Sequence, residues 1–190
     1  MERLEPVILR LDAAGRPQAW IPWQEAVCLY VKGLVAWECG VHRFRFHGGR
    51  SRLSGVRSQI EVSSIVAVKG QARAHVQGAP HLNNRELFRR DRHMCLYCGE
   101  TFPDRFLTRD HVVPRAQGGE DRWANVVTAC RRCNVKKGAR TPEQAGMPLL
   151  AVPFVPNPAE YLALLNRRIL ADQMDFLKKQ FRHRRLMDLV

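Results

Sequence analysis

CLYCGETFPDRFLTRDHVVPRAQGGEDRWANVVTACRRCNVKKGAR, residues 95–140, contains two Cys-x-x-Cys pairs. Cys95 and Cys98 form the first pair, and Cys130 and Cys133 form the second. Two cysteines separated by two residues can turn both sulfurs to one side of a tight turn, and two such turns supply the four thiolates of a tetrahedral Zn²⁺ site. The pairs therefore predict a structural zinc site. Two disulfides, or four buried free thiols, are the alternative.

The segment between the two pairs, residues 99–129, exceeds the gap of about 15 to 20 residues in a simple zinc ribbon. We therefore expect it to carry structure of its own. LTRDHVV, residues 107–113, predicts a short strand, and NVVTAC, residues 125–130, predicts a second one. A helix is expected over residues 130–137, where Gly138 ends it.

This order of elements resembles that of the HNH nuclease family, whose fold is the ββα-metal or His-Me finger. The family motif is His, then Asn, then His or Asn, and it corresponds to His111, Asn125 and Asn134 at matching intervals. The Cys-x-x-Cys pairs, the Pro-x-x-x-Gly-Gly of residues 114–119 and the Cys-Asn-x-x-Lys of residues 133–137 match its zinc-containing branch. The resemblance implies an α+β fold in which all four cysteines bind one zinc ion.

The resemblance also implies a role for each polar residue of the motif. His111 is expected to be the general base, and Asn125 is expected to orient its imidazole and tie the loop. Asp110 and Asn134 would hold a catalytic divalent ion. Phosphodiester hydrolysis needs a base for water and a cation for the developing charge. Two oxygen ligands suit Mg²⁺, with Mn²⁺ also possible. The activity that the resemblance implies is endonucleolytic hydrolysis of DNA.

The composition is strongly basic, with 31 Lys and Arg against 18 Asp and Glu and a net charge of +13. Such an excess indicates a polyanionic partner. Acidic membranes and acidic proteins would also attract it, but the motif favours nucleic acid, and double-stranded DNA is the expected partner. The candidate phosphate contacts near the motif are Arg89, Arg109, Arg131, Arg132, Lys136 and Lys137.

The flanks of the predicted nuclease domain, residues 81–150, carry weaker signals. Residues 1–80 predict a small α/β unit, in which an arginine cluster is a candidate for phosphate contact: Arg43, Arg45, Arg50, Arg52 and Arg57. Residues 151–190 predict a proline-rich connector and a basic amphipathic C-terminal helix. Its apolar stripe is expected to pack on the body of the protein or to mediate self-association, and comprises Leu170, Met174, Leu177 and Phe181.

Two further expectations concern location and function class. The sequence has neither a signal-peptide pattern nor an apolar run long enough to cross a bilayer, so a cytoplasmic protein without a membrane partner is expected. Two alternatives to the nuclease stay open. One is a zinc-stabilised nucleic-acid-binding module with an idle site, and the other is a subunit of a defence or recombination complex without independent cleavage.

Overall fold

A computed structural model describes residues 5–70, 80–165 and 168–187. The chain mixes helices with sheets, as the α+β prediction requires, and divides into two compact units. The first unit comprises Met1–Gln77 with Asn166–Gln180, and the second comprises Gly78–Leu165 with Phe181–Val190. Within the described ranges, no helix has the length and apolar character needed to cross a membrane.

The helices and strands have the following bounds in chain order. They are β1 (Val7–Asp12), β2 (Pro17–Pro22), α1 (Trp23–Val31), β3 (Val35–Arg50), β4 (Arg57–Val68), α2 (Asn84–Arg90), β5 (Leu107–His111), β6 (Val126–Cys130), α3 (Arg131–Lys137), α4 (Pro142–Ala145), α5 (Pro158–Leu165) and α6 (Ala171–Lys178).

The first unit is built on a four-stranded sheet in the order β2-β1-β4-β3. Strand β1 is parallel to β4 and antiparallel to β2, and β3 is antiparallel to β4. Helix α1 contributes to a buried core of Ile8, Ile21, Ala26, Val62 and Val66. Strand β2, PQAWIP, was not predicted from the sequence. It has a proline at each end and lies at the edge of the sheet, where proline is tolerated.

The C-terminal region differs from the prediction of one connector and one helix. The described residues of this region form two α-helices, of which α5 belongs to the second unit and α6 to the first. Asp172 of α6 accepts hydrogen bonds from the backbone nitrogens of Val41 and His42 and from the Ser64 hydroxyl. Gln173 is buried and donates to two backbone carbonyls of the sheet. These polar contacts, which the hydrophobic pattern does not encode, hold α6 to the sheet of the first unit.

The second unit contains the antiparallel hairpin β5–β6, in which Leu107 pairs with Cys130 and His111 pairs with Val126. Helix α3 begins at the residue after β6. These three elements agree with the strands and helix predicted over residues 107–137. A buried cluster beneath the hairpin contains Leu87, Phe88, Leu107, Trp123 and Val126.

A fully buried arginine ties α2 to this hairpin. Arg90 donates to both carboxylate oxygens of Asp91 and to the backbone carbonyls of Trp123, Val126 and Phe154, at 2.8–3.0 Å. Asp91 in turn accepts from the backbone nitrogen of Thr128 at 2.8 Å. This network positions β6, from which α3 continues.

Replacing this arginine by methionine is expected to destabilise the second unit strongly. Arg90→Met leaves the Asp91 carboxylate buried without its cation, and breaking such a pair typically costs about 3–5 kcal/mol. Denaturant unfolding would measure the loss. Arg85→Met, an exposed change on the same helix, serves as the control and should stay within about 0.5 kcal/mol of the parent protein. Equal stability of the two variants would contradict this role for Arg90.

Candidate active site and metal centre

The four predicted zinc ligands meet at one point of the second unit. Cys95 and Cys98 lie in the turn after α2, Cys130 ends β6, and Cys133 lies in the first turn of α3. Their sulfur atoms all lie within 4.8 Å of one another. A tetrahedral ion with Zn–S bonds of about 2.3 Å would hold its sulfurs roughly 3.8 Å apart. The cluster could therefore hold a metal ion such as zinc with small adjustments.

The surroundings of the sulfurs shift the thiol pKa values in different directions. Burial, followed by the hydrogen bond and charge of neighbouring cysteines, raises the pKa of the Cys133 thiol. At Cys95, burial opposes ionisation, but backbone N–H groups of Cys130, Cys98 and Tyr97 outweigh it and lower the pKa. Backbone donors of this kind stabilise a thiolate. All six cysteines of the chain are free thiols in the structure, so the disulfide alternative is not what the fold contains.

Asp110 lies on β5 and is buried, with 5% of its surface exposed. Its Oδ2 accepts from the Tyr97 hydroxyl at 2.5 Å, and its Oδ1 accepts from Lys137 Nζ at 3.0 Å. Burial, and then the hydrogen bond to Asp110, raises the pKa of Tyr97 far above its ordinary value, so the hydroxyl remains a donor. Each carboxylate oxygen can accept more than one bond. Both carboxylate oxygens of Asp110 thus have a hydrogen-bond partner in this structure.

Lys137 does not lie at the surface, where a phosphate contact was expected. Its side chain is 1% exposed and donates to Asp110 and, at 2.9 Å, to the backbone carbonyl of His111. A buried ammonium group is tolerated only with such partners. Because Lys137 ends α3 while both acceptors lie on β5, its role in this structure is to join the helix to the strand.

The imidazole of His111 has a carboxylate partner that sequence reasoning missed. His111 Nε2 lies 3.0 Å from Asp121 Oδ1, and Arg109 Nη1 donates to Asp121 Oδ2 at 2.6 Å. The hydrogen bond from Arg109 lowers the pKa of Asp121 below its ordinary value. Arg109 also donates to Asn84. Residue spacing gave little indication of this contact, because no helix or strand relates positions ten residues apart across the loop between His111 and Asp121.

Asn125 is buried, and its side chain closes the loop between the two strands. Its amide oxygen accepts from the backbone nitrogen of Val113 at 2.9 Å, and its amide nitrogen donates to the carbonyls of Val113 and Glu120. Gly119 makes this closure possible, because a Cβ there would lie 1.7 Å from the Val113 carbonyl oxygen. Asn125 thus ties the loop, whereas Asp121 makes the side-chain contact with the imidazole that was expected of Asn125.

Asn134 lies on α3 with its side chain facing β5. Its amide nitrogen donates to Thr108 Oγ1 at 2.9 Å, and the Thr108 hydroxyl donates to the Ala129 carbonyl. Because the amide nitrogen is engaged, the amide oxygen is the atom of this side chain that can serve a cation. The hydrogen bond to Thr108 joins Asn134 of α3 to the strand β5 that carries Asp110 and His111.

The candidate phosphate contacts fall into two groups. Arg131, Arg132 and Lys136 are exposed on α3. Arg89 instead donates to the carbonyls of Ala163 and Leu164 near the end of α5. Arg109 and Lys137 are engaged at Asp121 and Asp110, as described above. Arg89, Arg109 and Lys137, half of the predicted phosphate contacts, thus bind other residues of the second unit instead.

Comparison with known proteins agrees with these features. Residues 95–150 match the model of a family described as HNH endonuclease. The CRISPR-associated endonuclease Cas9 of Corynebacterium diphtheriae is 38% identical over 74 residues, which are 36% of this chain and 7% of that protein. Cas9 of Actinomyces naeslundii is 39% identical over 64 residues, which are 30% of this chain and 6% of that protein.

The similarity is therefore that of one domain. The family resemblance indicated by the His-Asn-Asn motif is confirmed for residues 95–150. The chain spans less than a tenth of the length of either curated relative.

Proposed function

We propose that the chain is a metal-dependent endonuclease that hydrolyses phosphodiester bonds of DNA. The observation that carries the proposal is the packing of α3, which carries Asn134, against β5, which carries Asp110 and His111, within a segment that matches the HNH endonuclease family. We further propose that β5, β6 and α3 form a ββα-metal finger whose four-cysteine cluster holds structural Zn²⁺.

Asp110 and Asn134 would hold the catalytic ion through one carboxylate and one amide oxygen. Two protein oxygens suit Mg²⁺, which keeps several waters and takes further ligands from phosphate. When bound, such an ion supplies positive charge that stabilises the phosphate and its leaving oxygen during hydrolysis. Lys137 and Tyr97 orient Asp110 for this task, because each donates to a different carboxylate oxygen.

His111 would act as the general base. When Nε2–H donates to Asp121, Nδ1 carries the lone pair that can accept a proton from the attacking water. Asp121 is then a positioning residue that selects the imidazole tautomer, and Arg109 holds the Asp121 carboxylate in place through its hydrogen bond. The attack would release the 3′ oxygen and leave 5′-phosphate and 3′-hydroxyl ends.

Arg131, Arg132 and Lys136 would bind the phosphate backbone, because they are exposed on the helix that carries Asn134. Contacts of this type position a strand without reading its sequence. Arg89, Arg109 and Lys137, also expected to bind nucleic acid, are assigned positioning roles instead.

The test is conversion of supercoiled plasmid to nicked and linear forms by the full chain. We expect cleavage with added Mg²⁺ or Mn²⁺, no cleavage without a free divalent cation, and ends that DNA ligase can rejoin. A double-stranded RNA should be cut more slowly than a linear DNA duplex of the same sequence. Identically purified His111→Ala protein controls for contaminating nucleases. Folded, zinc-loaded protein that binds DNA but never cuts it would favour the binding-module alternative over the enzyme.

A further inference from the structure

We propose that the distal part of the β3–β4 hairpin binds in the major groove of double-stranded DNA. The segment concerned, residues 47–59, is called the ribbon tip below. The choice of DNA as the ligand rests on the proposed function, but the binding itself requires no cleavage. The proposal adds a second nucleic-acid contact, in the first unit, to the candidate active site in the second.

The hairpin extends beyond the sheet that supports it. Strand β1 pairs with β4 only at Ile65–Val68, so residues 57–64 of β4 pair with β3 alone. Near its base the hairpin is anchored by the stacking of Phe46 on Trp23, with ring centroids 4.3 Å apart. Past Phe46 every residue of the ribbon tip is exposed. The tip is therefore a narrow two-stranded ribbon with both faces in solvent.

The charged residues between positions 41 and 60 of this hairpin are all basic. Residues 41–60 contain five arginines and two histidines but no aspartate or glutamate. Toward the base, Arg43 pairs with Glu38 at 3.0 Å and Arg45 pairs with Glu61 at 2.5 Å. These two ion pairs leave the uncompensated positive charge of the hairpin at its tip.

Three arginines carry the charge of the ribbon tip. Arg50 and Arg52 form no ion pair with any residue in the described part of the chain. Arg57 donates from Nε to the Gly48 carbonyl at 3.1 Å and remains exposed, so its guanidinium is held across the ribbon. A solvated surface ordinarily interleaves both signs of charge, and an acid-free ribbon with three available guanidinium groups instead fits a polyanion.

The shape of the tip selects among polyanions. The major groove of B-DNA is about 12 Å wide and admits a two-stranded β-ribbon. Arginines along the ribbon would then reach phosphates on either side of the groove, and the fully exposed Leu53 could contact base edges such as a thymine methyl group. The major groove of A-form RNA is too narrow and deep for side chains to read. Double-stranded DNA is therefore the ligand that fits best.

The experiment compares two variants with the same change of net charge in the His111→Ala background, which keeps cutting out of the measurement. The tip variant carries Arg50→Gln, Arg52→Gln and Arg57→Gln. The control carries Arg16→Gln, Lys32→Gln and Lys69→Gln, all exposed positions of the first unit outside the hairpin tip. Fluorescence anisotropy would measure binding to one DNA duplex, to its single strand, to the same-sequence RNA duplex and to anionic phospholipid vesicles.

We expect the tip variant to bind the DNA duplex on the order of 10- to 100-fold more weakly near 0.15 M salt, because three phosphate contacts are removed. Each phosphate contact contributes about 0.9 to the magnitude of the slope of log K against log salt. The magnitude of this slope should therefore be smaller by about 2 to 3 in the tip variant than in the control. Equal losses in both variants, or no loss in the tip variant, would overturn the proposal. The proposal would also be overturned if the tip variant lost as much affinity for the single strand or for the RNA duplex as for the DNA duplex. The same holds if it lost affinity only for the vesicles.

The outcome is independent of catalysis. If wild-type protein never cuts DNA but its duplex binding depends on the tip, the proposed nuclease function fails and this inference stands. If wild-type protein cuts DNA and the tip variant binds as tightly as the control, the nuclease stands and this inference fails.

Discussion

The protein carrying Cys98→Ser and Cys133→Ser is expected to lose the folded structure of its second unit. Each Cys-x-x-Cys pair would lose one thiolate, and the turn after α2 would no longer be joined to the start of α3. Structural zinc contributes about 10–16 kcal/mol in small domains, whereas whole domains are stable by only about 5–15 kcal/mol. The loss of the site therefore approaches or exceeds the entire stability of this unit.

Circular dichroism during denaturant unfolding, together with elemental analysis for bound metal, would measure this effect. A zinc chelator should reproduce it in the unmutated protein, and a reducing agent should not. Cys28→Ser is the matched control, because Cys28 is an exposed cysteine on α1 of the first unit. Unchanged unfolding of the double variant, with no zinc bound to the parent protein, would show that the cysteine cluster is not a metal site.

Replacement of His111 by alanine is expected to lower the rate of DNA cleavage by about 10²- to 10⁴-fold, the usual contribution of a general base. The change removes the group proposed to take the proton from water. It leaves the Lys137 contact with the residue 111 carbonyl available, since that contact involves only the backbone. The fold of the second unit should therefore persist while the chemistry is lost.

Plasmid cleavage at saturating Mg²⁺ would measure the rate, and added imidazole should restore part of it by supplying the missing base. His81→Ala is the control, because His81 is exposed in the same unit and, among the residues that the structure describes, only its backbone carbonyl has a partner, the Tyr161 hydroxyl. Cleavage by His111→Ala at the parental rate would remove His111 from the mechanism. Equal losses in the two variants would point to a folding defect instead.

Asp121 was absent from the sequence-based site, and its omission has a physical cause. The sequence could place Asp110, His111 and Asn134 because a family motif relates them by interval. Asp121 reaches His111 only because the loop held by Asn125 folds back toward the end of β5. Such a contact depends on the path of an irregular loop, which residue spacing does not encode.

The basic residues also show which features the sequence could predict and which the folded structure decided. Lysine and arginine near a nuclease motif suggest phosphate contacts, and Arg131, Arg132 and Lys136 do lie exposed. Lys137 and Arg90 have the same chemistry but are buried against carboxylates and carbonyls. Whether a cation faces solvent or an internal acceptor is decided by the packing of α2 and α3 against the β5–β6 hairpin.

The sequence by itself determined the features whose geometry is local. Cys-x-x-Cys pairs, an Asp-His dipeptide in an apolar run, and a Gly-Gly turn constrain the few residues around them, so their spacing predicted the cysteine cluster, the two strands and the helix. Only the tertiary structure decided the partners of Asp110 and His111, the assignment of α6 to the first unit, and the projection of the ribbon tip. These depend on contacts between residues distant in sequence, which form only when whole elements pack together.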